Sequence, residues 1–313
     1  MPNYQGVWSL SEQYQNASGW PSPPATAIYA GGYISADTNV IESVLIANSG
    51  NGSDFGDLTV ARRFLAGMSS STRGVFAGGG STGSNVIDYV TIATAGNATD
   101  FGDTTAAMDE GYAGGFGSES RGIYAGGYQS SSAINNMEYI TIASTGNGTD
   151  FGNLSQARTG NSSGFCSPTR GGLGGGNTGS RVDTIDYVTI ASTGNAFDFG
   201  NLTESKDGVG GTSSSIRGIF AGGFTGFALK NRIEYITIAS TGNATTFGDL
   251  SATARPACTS DNITALIMGN ITGDTSSIEK VTIASIGNAT DFGDLTADKS
   301  NGAAVSNAHG GLS

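Results

Sequence analysis

The sequence predicts an all-β protein: a ring of six four-stranded antiparallel blades, closed by a C-terminal strand that joins the first blade. Three observations predict it. The string Asn51-Gly-Ser-Asp-Phe55-Gly-Asp-Leu58 recurs with its Phe at 101, 151, 199, 247 and 292, at spacings of 46, 50, 48, 48 and 45 residues. A second string, Arg73-Gly-Val-Phe-Ala-Gly-Gly79, returns at Arg121 and Arg217, with weaker copies ending at Gly32, Gly176 and Asn270. A third, Ile87-Asp-Tyr-Val-Thr-Ile-Ala93, has relatives at Ile41, Met137, Ile185, Ile233 and Ile278. Several short β-favouring runs in a unit of this length suit a propeller blade, not a helical repeat or a short solenoid.

Each element has a local reason. The second string is β-branched or aromatic and stops at a Gly pair, so it reads as a strand. The third carries apolar residues on both faces (Ile87 and Tyr89, Val90 and Ile92), as expected of a strand covered from both sides. Phe55-Gly-Asp-Leu58 reads as the next strand, and the Gly- and Ala-rich stretch from Arg63 to Met68 as another. That small-residue strand suits the crowded axis of a ring. The chain enters the repeat in the Gly-pair strand (Ile28 to Gly32) and leaves it in a small-residue strand (Asn301 to Asn307). The two ends therefore complete one blade, which removes the open sheet edge of a cut ring.

Composition bounds the function. Gly accounts for 51 of 313 residues and Pro for only 6, which argues against collagen and Pro-rich linkers. The net charge is −12, from 14 basic and 26 acidic residues. Such a chain is repelled by nucleic acid and by anionic membranes. No apolar run approaches the ~20 residues of a membrane span, and no basic-then-apolar leader opens the sequence. Cys166 and Cys258 make no disulfide framework. Asn97, Asn147, Asn243 and Asn288 stand in Asn-x-Thr triplets, but within one repeated motif, and read as turn residues.

No constellation points to catalysis. The only His is His309. Gly79-Gly-Ser-Thr-Gly83 matches a nucleophile-elbow pattern but sits between strands. Gly78-x-Gly80-x-x-Gly83 imitates a dinucleotide fingerprint without the helix that would hold a pyrophosphate. No His/Cys cluster suits zinc or copper. Asp100 and Asp103 have counterparts around the ring, and oxygen-rich turns can hold calcium. Thr246, Asn153 and Asn201 break that pattern, so no cofactor or metal is assigned.

The Gly pairs, the following Tyr (Tyr89, Tyr139, Tyr187, Tyr235) and the basic residue before the small-residue strand (Arg62, Arg158, Lys206, Lys299) resemble kelch repeats from Ile28 onward. The usual kelch Trp is absent, and the Phe of Asp-Phe-Gly stands in its place. The wording Ile-Glu-Tyr-Ile-Thr-Ile-Ala-Ser-Thr-Gly-Asn-Ala-Thr is similar to repeat proteins of tailed phages, marine and cyanobacterial phages among them. That resemblance implies a non-enzymatic virion structural protein of the tail or its fibres. It would be made in the host cytoplasm, would oligomerise within the particle, and would contact other tail proteins and a host-surface receptor or glycan. The alternatives are a module that only bridges virion proteins and, third, a glycan depolymerase.

Residues 1–26 precede the propeller (27–313) and read as a strap or virion anchor, with Trp8, Tyr14 and Trp20 as its apolar groups. Within the ring, the two connections of one face vary. The loop after the Gly pair holds 8, 7, 9, 8, 9 and 7 residues, and the residues entering the small-residue strand also change. The opposite turns are uniform, with 8 residues from the Ala ending the third string to the Phe every time. The variable face is the expected recognition surface, with Tyr33, Arg63, Phe64, Glu110, Tyr128, Phe224, Phe227, Lys230 and Arg232 as candidate contacts. Aromatic faces suit sugar stacking or protein contact.

Overall fold

The computed structural model describes residues 23–108, 113–160, 164–269 and 276–312. Trp8, Tyr14, Trp20 and Glu110 lie outside the described residues.

The fold is a six-bladed β-propeller, each blade a four-stranded antiparallel sheet. Blade 2 shows the plan. Its inner strand is Ala66–Ser69, followed outward by Arg73–Ala77, Ser84–Thr91 and Thr99–Met108. Blade 1 is built from both ends of the repeat: Ala303–Ser306 is its inner strand and pairs antiparallel with Thr26–Ala30, placing Val305 opposite Ile28. The predicted closure is thus present. The inner strands pack side by side around the axis, and their residues are buried. Small residues dominate them, although Met68 and Phe116 also line the shaft. The space left along the axis is about 40 Å³.

The Asp-Phe-Gly string has a geometric cause. In blade 1, Ile41 pairs with Gly56 but Glu42 pairs with Asp54, so Phe55 is the extra residue of a β-bulge. The bulge turns Phe55 inward, where it is buried. Gly56 adopts a φ of 151°, and a Cβ there would lie 2.3 Å from the Gly96 carbonyl oxygen of blade 2. The same approach recurs at Gly102, Gly152, Gly200, Gly248 and Gly293. The glycine lets each outer strand meet the turn of the next blade. The turn Asn completes the contact: Asn97 Oδ1 accepts the Asp57 N–H at 3.1 Å, and Asn147, Asn195, Asn243, Asn288 and Asn51 repeat this around the ring.

Two further sets of side chains join the blades. Arg73, Arg121, Arg170 and Arg217 each lie over the Tyr of their own blade, 4.3 to 5.0 Å from the ring centroid. Each also donates to a backbone carbonyl of the next blade, at Ile142, Ile190, Ile238 and Ile283. Ser43 of blade 1 and Lys280 of blade 6 replace the Tyr, and grooves of about 260 and 290 Å³ open there. Arg217→Met is expected to cost about 2–4 kcal/mol, the sum of a cation–π contact and a charged hydrogen bond. A urea titration checks this.

The second set explains the basic residue before the inner strand. Arg62–Asp88 (2.6 Å), Arg158–Asp186 (2.8 Å), Lys206–Glu234 (3.2 Å) and Lys299–Glu42 are fully buried ion pairs. Burial lowers the pKa of Arg62, Arg158 and Lys206, and the facing carboxylate opposes that shift. Each acid also accepts from a Ser or Thr of the preceding blade, as Asp88 does from Thr59. Blades 3 and 6, opposite each other in the ring, keep the acid (Glu138, Glu279), but Met108 and Ala254 occupy the basic position. In blade 3 the Tyr124 hydroxyl donates to Glu138, and burial followed by that bond raises the Tyr124 pKa.

Candidate functional site

The faces divide as the loop arithmetic predicts. In blades 1, 4 and 5 the loop after the Gly pair touches the connection entering the inner strand: Tyr33 bridges Ser300, Asn177 bridges Thr159, and Phe224 bridges Asp207. These variable segments share one end of the ring.

The structure sorts the candidates into two groups there. In the first, the Arg63 guanidinium lies 4.7 Å from the Tyr33 ring centroid and 5.2 Å from that of Phe64, and pairs with Asp37 at 3.5 Å. Phe64 has a φ of 62°, a left-handed conformation uncommon for an aromatic residue. The second group is centred on Phe224. Its ring is not the open stacking face expected from the sequence, because Arg181 and Arg255 lie over it at 5.0 and 4.7 Å. Both donate to one carboxylate: Arg181 Nε to Asp207 at 3.0 Å and Arg255 Nη2 to Asp207 at 2.6 Å. Backbone bonds in both directions between Asp207 and Phe224 fix the platform.

Phe227 stands clear of this group and is 98% exposed. Lys230 pairs with Glu204 at 3.0 Å, and Arg232 is exposed. Tyr128 opens a two-residue hairpin, Tyr128–Gln129 with Ser132–Ala133, and is half-buried.

Arg181, Asp207 and Arg255 stand in this candidate site, and sequence reasoning did not single them out. The signal lay in the repeat. Eight residues after each motif Phe stand Arg63, Asp109, Thr159, Asp207, Arg255 and Ser300, so Arg255 is the counterpart of Arg63. Asp37 and Arg181 are also counterparts, six residues after the first Gly of their pairs. Arg63–Asp37 and Asp207–Arg181 are therefore one cross-loop ion pair with its charges exchanged.

The basic residues are unevenly used. Of the 14 Lys and Arg, four are in the buried pairs and four in the Arg–Tyr contacts, and Lys280 bonds Ser49. The remaining five, Arg63, Arg181, Lys230, Arg232 and Arg255, all stand at the variable end.

At the other end the shaft is capped by the C-terminal tail. The last residues of four inner strands are Ser69, Ser213, Ser260 and Ser306, and each hydroxyl donates to the carbonyl of the corresponding residue in the preceding blade. Gly117 and Cys166 interrupt that chain. His309 fills the interruption: its Nε2 lies 3.0 Å from the Ser69 carbonyl, while its Nδ1 faces Cys166 Sγ at 3.3 Å and accepts from Gly311 N–H at 3.1 Å. His309 and Cys166 are buried, so this pair has the structural role of a stopper. Burial pushes the Cys258 thiol up. Ending the chain after Asn307 is expected to leave the ring folded and to raise Cys166 alkylation by roughly tenfold or more, with Cys258 unchanged. Mass spectrometry after iodoacetamide treatment measures both.

Among the described residues no group of three or more His, Cys, Asp or Glu is placed to hold a metal ion. No helix among them is long and apolar enough to cross a membrane. No protein-family model matches the chain, and no curated protein matches it in sequence.

Proposed function

We propose that this propeller is a non-enzymatic, kelch-like structural protein of a tailed-phage particle, a tail or fibre component that contacts the host surface through its variable face. The observation that carries the recognition role is the concentration of five basic side chains and the exposed Phe227 at the end where the loops differ between blades. The repeat wording supports the assignment to a phage particle. Partners on this reading are other tail proteins and a host receptor or glycan.

The test is binding of the purified protein to bacteria susceptible to the parent phage, with competition against phage adsorption. Saturable binding that blocks adsorption is expected. Absence of binding by a folded protein would reject host recognition.

A second reading, a module that bridges virion proteins, draws on the uniform face. Ile216, Ile263 and Ile286 are 66–69% exposed there, in turns of blades 5 and 6. The first two turns touch, since Ser215 N–H donates to Asn262 at 2.9 Å. Exposed apolar groups set close together suit a protein contact. The two readings are compatible if this face seats on the particle and the other points outward.

A further inference from the structure

We propose that blade 6 carries a binding groove for a phosphorylated sugar, in which Lys280 takes the phosphate and the hydroxyls of Thr264, Thr282 and Thr290 take the sugar. The groove lies at the uniform-turn end of the blade, so the inference goes beyond the reading of the variable face.

The repeat shows how the groove arises. Arg73, Arg121, Arg170 and Arg217 have Thr264 as their counterpart in blade 6, and the Tyr beneath each has Lys280. Thr264 pairs with Thr282 and Lys280 with Thr290, so these four residues share one face of the sheet. Leu266, on the same face, packs with Ala27 and Tyr29, which turns that face toward blade 1. An Arg and a Tyr are thus exchanged for a short Thr and for a Lys that reaches across to Ser49 of blade 1. The space that results is about 290 Å³, with Thr264, Lys280, Thr282, Ser285, Asn288 and Thr290 in its lining.

The chemistry of that lining is the second argument. The half-buried Lys280 donates to the Ser49 hydroxyl at 2.7 Å, and its ammonium lies 5.5 Å from the Phe292 ring centroid. It makes no ion pair among the described residues. An ammonium has three N–H donors, so two remain for an incoming anion, on a group already held in position. Asn288 Oδ1 accepts the Asp249 N–H at 3.1 Å, which leaves its Nδ2 group to donate. The hydroxyls of Thr264, Thr282, Ser285 and Thr290 make no hydrogen bond among the described residues.

These groups select the ligand. A Lys ammonium binds phosphate as a point charge. The unspent hydroxyls and the Asn288 amide suit a ligand that also carries hydroxyls. The groove stands just below the ~300–1,000 Å³ of small-molecule sites, which is more room than a bare phosphate fills. Its lining offers no aromatic face, so the sugar is held by hydrogen bonds and not by stacking.

The test is titration of the full-length protein with glucose 6-phosphate, glucose and inorganic phosphate. Saturable binding of glucose 6-phosphate is expected, with the other two much weaker. Lys280→Met should weaken it roughly tenfold or more. The double variant Thr264→Arg/Lys280→Tyr installs the pair that occupies this place in blades 2 to 5. It should abolish binding while the thermal midpoint stays level or rises. If Lys280→Met fails to fold, the double variant decides. Failure of glucose 6-phosphate to bind the wild-type protein would overturn the proposal. So would equal binding of glucose, equal binding of inorganic phosphate, or wild-type affinity in either folded variant.

Discussion

Lys299→Met is expected to destabilise the protein by about 3–5 kcal/mol, because it leaves the Glu42 carboxylate buried without its cation. Among the described residues Glu42 then keeps the Thr296 N–H and hydroxyl, both at 2.7 Å. The pair joins the connection leaving blade 6 to the third strand of blade 1, so it sits where the ring closes. The double variant Lys299→Met/Glu42→Leu is expected to recover most of the loss, since an apolar pair of similar volume needs no desolvation of charge. Thr296 is exposed and can turn to water. Urea titrations of both variants decide the matter. Equal loss in the single and the double variant would mean that packing at the closure, not the buried charge, is what Lys299 supplies. Glu279 provides the comparison, because Ala254 already stands where the cation would be. Its replacement by Gln should cost only about 1 kcal/mol, the scale of one altered hydrogen bond.

Removal of the C-terminal strand is expected to have a still larger effect. A chain ending at Gly302 lacks Ala303–Ser306, so blade 1 keeps three strands and Thr26–Ala30 becomes an open edge. It also loses Val305 from the cluster holding Ile28, Phe76 and Val90. An exposed apolar edge invites pairing with other chains, and this truncation should aggregate or lose its cooperative unfolding transition. The chain ending at Asn307 keeps the strand, and the Asn307 side chain still accepts from Thr26 N–H. It should run as a monomer-sized species in gel filtration with a single melting transition. A folded, monomeric protein ending at Gly302 would show that the closure is dispensable.

The fold was legible because every blade repeats the same solutions. The Phe of Asp-Phe-Gly, the Gly pair and the Ile-rich strand each mark one structural position six times, and the termini supplied the closure by their place in that cycle. What the repeat could not display were contacts made once. His309 looked isolated near the end of the chain, yet it completes a hydrogen-bonded ring with Ser69 and Cys166, residues 240 and 143 positions away. Phe224 looked like an open aromatic because nothing in its own loop announces Arg181 or Arg255; Arg181 comes from the loop of blade 4 and Arg255 from the connection between blades 5 and 6. The basic residue before the inner strand was visible as a pattern at Arg62, Arg158, Lys206 and Lys299. Its cause became clear only when the acid in the third strand was brought opposite. The exchange of charges between Arg63–Asp37 and Asp207–Arg181 fits the same lesson: the contact is retained while the residue identities are not.

On the proposed reading, binding resides on the variable face while the repeated contacts serve the ring. The most direct measurement compares bacterial binding by two folded variants. One changes the variable face, Phe227→Ala with Arg232→Ser; the other changes the uniform face, Ile216→Asn with Ile263→Asn. Binding should fall sharply in the first and stay at the wild-type level in the second. Undiminished binding in the first, with loss in the second, would place the contact on the opposite side of the ring and rule out recognition by the variable face.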